Sequence, residues 1–164
     1  MNLMFNLSKK NLFTGIFLIS FIALVSAYLI EYVLGHQPCN LCLYERIPYF
    51  LAILTVLINY KYNKLEKYLI LSLAIIFLIA TILSLYHLGI EQGFIKESLL
   101  CDLDKGANIV NKDEILKQLQ KKSISCKDVT FKMFGLSLTS YNIIINLILA
   151  LYLTKIYFAY EKNR

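Results

Sequence analysis

Four cysteines carry the chemistry open to this sequence. Cys39-Asn40-Leu41-Cys42 has the spacing that lets two sulfurs meet across one tight turn, with a low-pKa thiolate at a helix start. Such a pair suits turnover between thiol and disulfide. Arg46 follows four residues after Cys42. If a helix begins near Cys42, Arg46 stands one turn along the same face, about 5–6 Å away by Cβ spacing. Its charge and the helix dipole would then favour thiolate at Cys42. Without the cysteines, an arginine there would read as an interfacial side chain reaching for lipid headgroups.

Zinc is the rival use of four thiolates, since one Cys-x-x-Cys is already present. Cys101 and Cys126 count against it, because they lack the close spacing of a zinc knuckle. A disulfide closing so long a loop would instead constrain the unfolded chain by roughly 3 kcal/mol or more. No metal is expected.

The elements that must position these residues are apolar. The chain has 164 residues, 58% of them hydrophobic, and a mean hydropathy of +0.60, well above the roughly 45–50% apolar share of soluble domains. A bilayer core about 30 Å thick needs about 20 mostly apolar residues per spanning helix. Runs at residues 11–34, 43–60, 68–88 and 136–159 meet that length or approach it. The sequence therefore predicts an all-α, integral membrane four-helix bundle. Its connections are loops at 35–42 and 89–135 and a lysine-rich turn at 61–67. Val25-Ser26-Ala27 fits a small-residue cleavage pattern, but the apolar run continues to Leu34, and it is expected to remain as a span. In the long loop, Asn111 as cap and Glu114 three residues on predict a short amphipathic helix, on the surface or at the membrane interface.

Four spans put both termini on one side and all four cysteines on the other. The formal charge of +6 is spread over loops rather than gathered on one face, so no nucleic-acid partner is expected. The two sides carry equal numbers of basic residues, but the 61–67 turn is far denser in lysine than the long loop. The positive-inside rule then places the turn and termini in the cytoplasm. Disulfides persist on the oxidising side of a membrane, which assigns the cysteines to the opposite face.

Three segments also resemble a known family. Pro38-Cys39-Asn40-Leu41-Cys42-Leu43-Tyr44-Glu45-Arg46-Ile47-Pro48-Tyr49 resembles the first-loop signature of disulfide bond formation protein B. Tyr86-His87-Leu88-Gly89-Ile90-Glu91-Gln92-Gly93-Phe94 resembles the end of that family's third helix. Phe134-Gly135-Leu136-Ser137-Leu138-Thr139-Ser140-Tyr141-Asn142 resembles the entry to its fourth. The resemblance implies a multi-pass protein of the bacterial inner membrane that reoxidises a periplasmic, thioredoxin-fold DsbA-like oxidase. Electrons would end on ubiquinone or menaquinone. It further implies that the loops at 35–42 and 89–135 are periplasmic and redox-active. Cys101 would form the mixed disulfide with the partner and Cys126 would be its intramolecular mate. Cys39 and Cys42 would receive the electrons next, with Cys42 and Arg46 facing the quinone and His87 near that site.

Two other functions compete. A membrane protein braced by purely structural loop disulfides has the same topology but no use for a thiolate-stabilising charge beside Cys-x-x-Cys. A quinone-linked oxidase of the vitamin K epoxide reductase type normally carries its quinone-proximal Cys-x-x-Cys late in the chain, whereas here the motif precedes the second helix. The topology is checked with a membrane-impermeant thiol reagent on reduced, intact spheroplasts. Cys101 or Cys126 should be labelled, and labelling only after lysis would overturn the orientation.

Overall fold

The computed structural model describes residues 2–62, 65–96, 101, 125–127, 132–133 and 135–162. The segment holding the Asn111 and Glu114 helix expectation lies outside them. Helix α1 runs Asn2–Tyr32, α2 Asn40–Tyr44, α3 Ile47–Lys61, α4 Glu66–Glu91 and α5 Leu138–Lys162. A hairpin of two-residue strands, β1 Lys132–Met133 and β2 Leu136–Ser137, leads into α5. Four stretches, Asn11–Tyr32, Asn40–Lys61, Glu66–Glu91 and Leu138–Ala159, are long and apolar enough to cross a membrane. The chain is an all-α membrane four-helix bundle.

The apolar run expected as one helix over 43–60 folds as two. Pro48 sits in the first turn of α3. Within a continuous helix its ring would collide with the carbonyl four residues back and leave that bond unmade. The break falls at Glu45–Arg46 and leaves α2 as a separate short element. Helix α4, conversely, runs on to Glu91. Residues 89–91, expected in the loop, are helical, and Glu91 stands one turn beyond His87 on the same face. Gly93 follows at φ +78°, a left-handed conformation that only glycine takes at little cost. At the start of α5, the Ser140 amide donates to Ser137 Oγ at 3.4 Å, which caps the helix.

The core is shared by all four spans. Phe13 and Ile16 of α1, Tyr49, Ala52 and Val56 of α3, Leu73 and Phe77 of α4, and Ala150 and Leu153 of α5 form one buried cluster. Tyr49 and Phe77 meet edge to face, their centroids 6.2 Å apart. Outward positions are also apolar: Ile22, Ile79, Ile148 and Leu151 are each about 60% exposed, as lipid contact requires. Because lipid is as apolar as the core, close packing and internal hydrogen bonds hold such helices together, rather than expulsion of water. Two buried threonine hydroxyls are satisfied within their own helices, while the buried Ser20 Oγ has no hydrogen-bond partner among the described residues. Thr55 Oγ1 donates to the Leu51 carbonyl and Thr81 Oγ1 to that of Phe77, both at 2.8 Å.

Phe77 is fully buried, and in lipid only the packing part of a large-to-small penalty remains. Phe77→Ala should therefore cost about 2 kcal/mol, the cavity component of such a change. Reversible unfolding in detergent and lipid mixtures would check the value, and a loss below measurement error would contradict this packing.

Candidate functional site

Cys39 ends the loop after α1 and caps α2 in extended conformation, its sulfur accepting from the Cys42 amide at 3.3 Å. The two sulfurs lie 2.8 Å apart. Both are free thiols, Cys39 buried and Cys42 partly so. On the other side of Cys39, His87 Nε2 stands 3.5 Å from its sulfur. Hydrogen bonding from Cys42 draws the Cys39 thiol down to about 5; burial opposes this, and the hydrogen bond and charge of His87 add to the lowering. The groups acting on the pair thus favour Cys39 as the thiolate.

The expectation that Arg46 activates Cys42 along a shared helix face is corrected here. With the helix broken at Glu45–Arg46, Arg46 belongs to the start of α3, not to the helix carrying Cys42. Its Nη1 pairs with Glu31 Oε2 on α1 at 2.5 Å, and its guanidinium lies 4.9 Å from the Tyr28 ring centroid. Arg46 faces the same cavity as Cys42 while its charge is engaged by Glu31.

His87, expected only as a residue near the site, is its centre. It is 1% exposed, with Nδ1 2.9 Å from Glu45 Oε1 and 3.4 Å from Thr139 Oγ1. Glu45 Oε2 accepts from Asn142 Nδ2 at 2.8 Å, and that amide also donates to Ser84 Oγ at 3.0 Å. The Tyr49 hydroxyl donates to Asn142 Oδ1. Glu91 Oε1 lies 3.8 Å from His87 Nε2 and accepts from Thr139 at 2.6 Å. Glu45, Glu91, Thr139 and Asn142 were missed as site residues. The available signal was a carboxylate inside or bordering an apolar run, which is expensive in a membrane and marks function by default.

Cys101 and Cys126 are joined in a disulfide with a Cα separation of 5.9 Å. Both are buried in one cluster with Cys39, Leu41 and Ile90, against which Cys42 and Tyr86 pack. Asn40 Nδ2 donates to the Cys101 carbonyl at 3.1 Å, tying the long loop to the Cys-x-x-Cys turn. The structure therefore brings both cysteine pairs and His87 together, with Arg46 on the adjoining cavity wall.

That cavity, about 390 Å³, opens between α1, α3 and α5. Its wall is aliphatic, with Ile19, Ala23 and Ile145 among its residues, and Cys42, Glu45, Arg46 and Asn142 supply polar groups. An apolar cleft with a few convergent polar groups fits a ring-and-tail ligand such as a prenylated quinone. Its aliphatic wall suits the tail, and the Arg46 guanidinium offers a donor to a carbonyl oxygen. The donor atoms of Cys39, Cys42 and His87 also lie within 4.8 Å of one another, close enough to hold a thiophilic metal. With Cys101 and Cys126 joined to each other, their sulfurs are not offered to a four-thiolate site in this structure.

Comparison with known proteins agrees with this geometry. The family described as disulfide bond formation protein DsbB matches residues 9–156. An uncharacterised protein of Rickettsia prowazekii (strain Madrid E) is 33% identical over 174 aligned positions, covering 100% of this chain and 99% of that protein. No solved structure matches. The chain belongs to the DsbB family: it is a multi-pass membrane protein of disulfide bond formation.

The thiolate is the attacking species, and the Cys39 value is depressed, so its reactivity is present above about 5 and lost as pH falls through that value. In reduced protein, iodoacetamide should modify Cys39 before Cys42 at pH 7, with a Cys39 midpoint near 5. Preferential alkylation of Cys42 would reverse the assignment.

Proposed function

We propose that this DsbB-family chain is a quinone-dependent protein thiol:disulfide oxidoreductase. It takes two electrons from a periplasmic DsbA-like oxidase through Cys101 and Cys126, moves them to Cys39 and Cys42, and passes them to ubiquinone or menaquinone. Its place is the bacterial inner membrane, with the termini and the 61–67 turn in the cytoplasm. One observation supports the reading above the others. A cysteine disulfide from the long loop shares a buried cluster with a Cys-x-x-Cys whose second member lines an apolar cavity.

The residues divide the work by position. The partner's dithiolate attacks the Cys101–Cys126 bond, forming the mixed disulfide at Cys101, and resolution returns an oxidised partner and two reduced loop cysteines. Exchange with an oxidised Cys39–Cys42 pair re-forms the loop disulfide and leaves the pair reduced, so electrons and protons are conserved between the two. A quinone bound in the cavity supplies the two-electron sink. Arg46 orients the acceptor by donating from its planar guanidinium while Glu31 holds it in place. Asn142 holds the Glu45 carboxylate on the wall. Burial keeps water from the sulfurs during transfer.

The experiment is oxidation of a small dithiol partner by the purified protein in detergent, with and without short-chain quinone. Cys101→Ser should stop partner oxidation while quinone still oxidises Cys39 and Cys42; permanent reduction of that pair would refute the electron order. A hydrogen bond to a charged group is worth about 1.5–3 kcal/mol. Arg46→Met, which also strips Glu31 of its partner, should therefore lower kcat/KM for quinone about tenfold or more, with Arg46→Lys intermediate. Native kinetics in Arg46→Met would reduce Arg46 to a helix anchor.

A further inference from the structure

Oxidation of a dithiol releases protons as well as electrons, and the structure holds a route for the proton that the cysteines alone do not account for. We propose that Glu45 is the proton exit of the Cys39–Cys42 couple: His87 takes the Cys39 proton at Nε2, yields one at Nδ1 to Glu45, and the Glu45 carboxyl delivers it into the membrane cavity. The inference rests on the proposed function for the identity of the acceptor.

The geometry is a continuous chain. Cys39 Sγ lies 3.5 Å from His87 Nε2, and His87 Nδ1 lies 2.9 Å from Glu45 Oε1. The imidazole has a proton donor at one nitrogen and an acceptor at the other, the arrangement a relay needs. Glu45 lines the cavity together with Cys42. The second oxygen of Glu45 accepts from Asn142, itself on the cavity wall, which fixes the carboxyl there. The electron route and the proton route thus start at the same cysteine pair and end at the same cavity.

The step balances. Counted from the dithiol, the Cys39 proton first passes to His87 as the thiolate forms, the Cys42 S–H then breaks, the Cys39–Cys42 bond forms, and two electrons and two protons leave. Cys42 lines the cavity and loses its proton there directly; the Cys39 proton, turned away from the cavity toward His87, travels through His87 and Glu45. Both electrons and both protons end on the quinone-class oxidant, which becomes quinol. A bilayer interior offers no free water to carry that second proton, and a general acid placed at the acceptor is worth about 10²–10⁴ in rate.

Other groups face this chain from every packed element. Cys39 and Cys42 come from the α2 turn, Glu91 from α4, and Thr139 and Asn142 from α5. Tyr49 of α3 acts through Asn142, and Arg46 is occupied by Glu31 of α1. Glu91 is the competing exit: it lies 3.8 Å from Nε2, and its Oε2 is buried without a hydrogen-bond partner among the described residues. It approaches the nitrogen that faces Cys39, however, and is not on the cavity wall.

The test compares wild type, Glu45→Gln, Glu45→Asp and Glu91→Gln. On quinone-free, reduced protein, the pH profile of Cys39 alkylation should keep its shape in Glu45→Gln with its midpoint raised by about one unit. The His87 imidazolium, whose charge favours the Cys39 thiolate, has then lost its carboxylate. Glu45→Asp should return the midpoint part of the way. In single-turnover oxidation of the reduced pair by short-chain ubiquinone, Glu45→Gln should be at least tenfold slower even above its own midpoint. An unshifted midpoint, an equal effect of Asp and Gln, or a larger effect from Glu91→Gln overturns the relay whatever the acceptor. Failure of quinone to oxidise wild-type protein instead overturns the proposed acceptor, and the alkylation profiles are unaffected by that failure.

Discussion

The hydrogen bond between His87 and Glu45 is the contact on which the rest of the site depends. Each side chain is close to fully buried at the edge of an apolar bundle, where an unpaired polar group costs several kcal/mol. Paired, they fix each other. Glu45 holds the imidazole so that its other nitrogen faces Cys39, and His87 with Asn142 holds the carboxylate at the cavity. Removing either partner would leave the other buried and unsatisfied, a larger penalty than the bond's own net worth.

That contact joins an interrupted helix to a regular one. Glu45 lies where the chain breaks between α2 and α3 ahead of Pro48. Arg46, next in the chain, pairs with Glu31 on α1, and Cys39 caps α2. Helix α4, in contrast, stays regular through His87 to Glu91, so these two side chains stack one turn apart beneath the cysteines. Gly89 lies between them, where a Cβ would come within 2.7 Å of Ile95 Cδ1; the chain returning after Gly93 closes tightly over the helix end.

The bundle beneath supplies rigidity by dense contacts rather than by water expulsion. Several of its polar interior side chains bond along their own helices, as Thr55 and Thr81 do, or in the chain of Asn142 and Asn146 on α5. Above that layer the interior changes from aliphatic to polar within about one helical turn of Tyr49, whose ring belongs to the core and whose hydroxyl belongs to the site. Beside that boundary a mostly aliphatic cavity places sulfur, guanidinium and carboxylate on one wall.

Much of this was legible in the residues themselves. Hydropathy and span length determine a four-helix membrane bundle without reference to any contact, because the bilayer sets the length of each element. The Cys39-Asn40-Leu41-Cys42 spacing fixes a local turn whose sulfurs must approach each other, since only two residues separate them. What the sequence left open were the relations across the bundle. Arg46 beside Cys42 in the chain suggested a helical neighbour, yet a proline two residues later gave it to Glu31. Glu45, 42 positions from His87 and 97 from Asn142, carries no local sign of either partner. Which sulfur ionises, and which side chains carry its proton, depends on these long-range contacts. Helix propensity and apolar patterning act within a turn or two, whereas a buried carboxylate finds its partner only when α2, α4 and α5 converge.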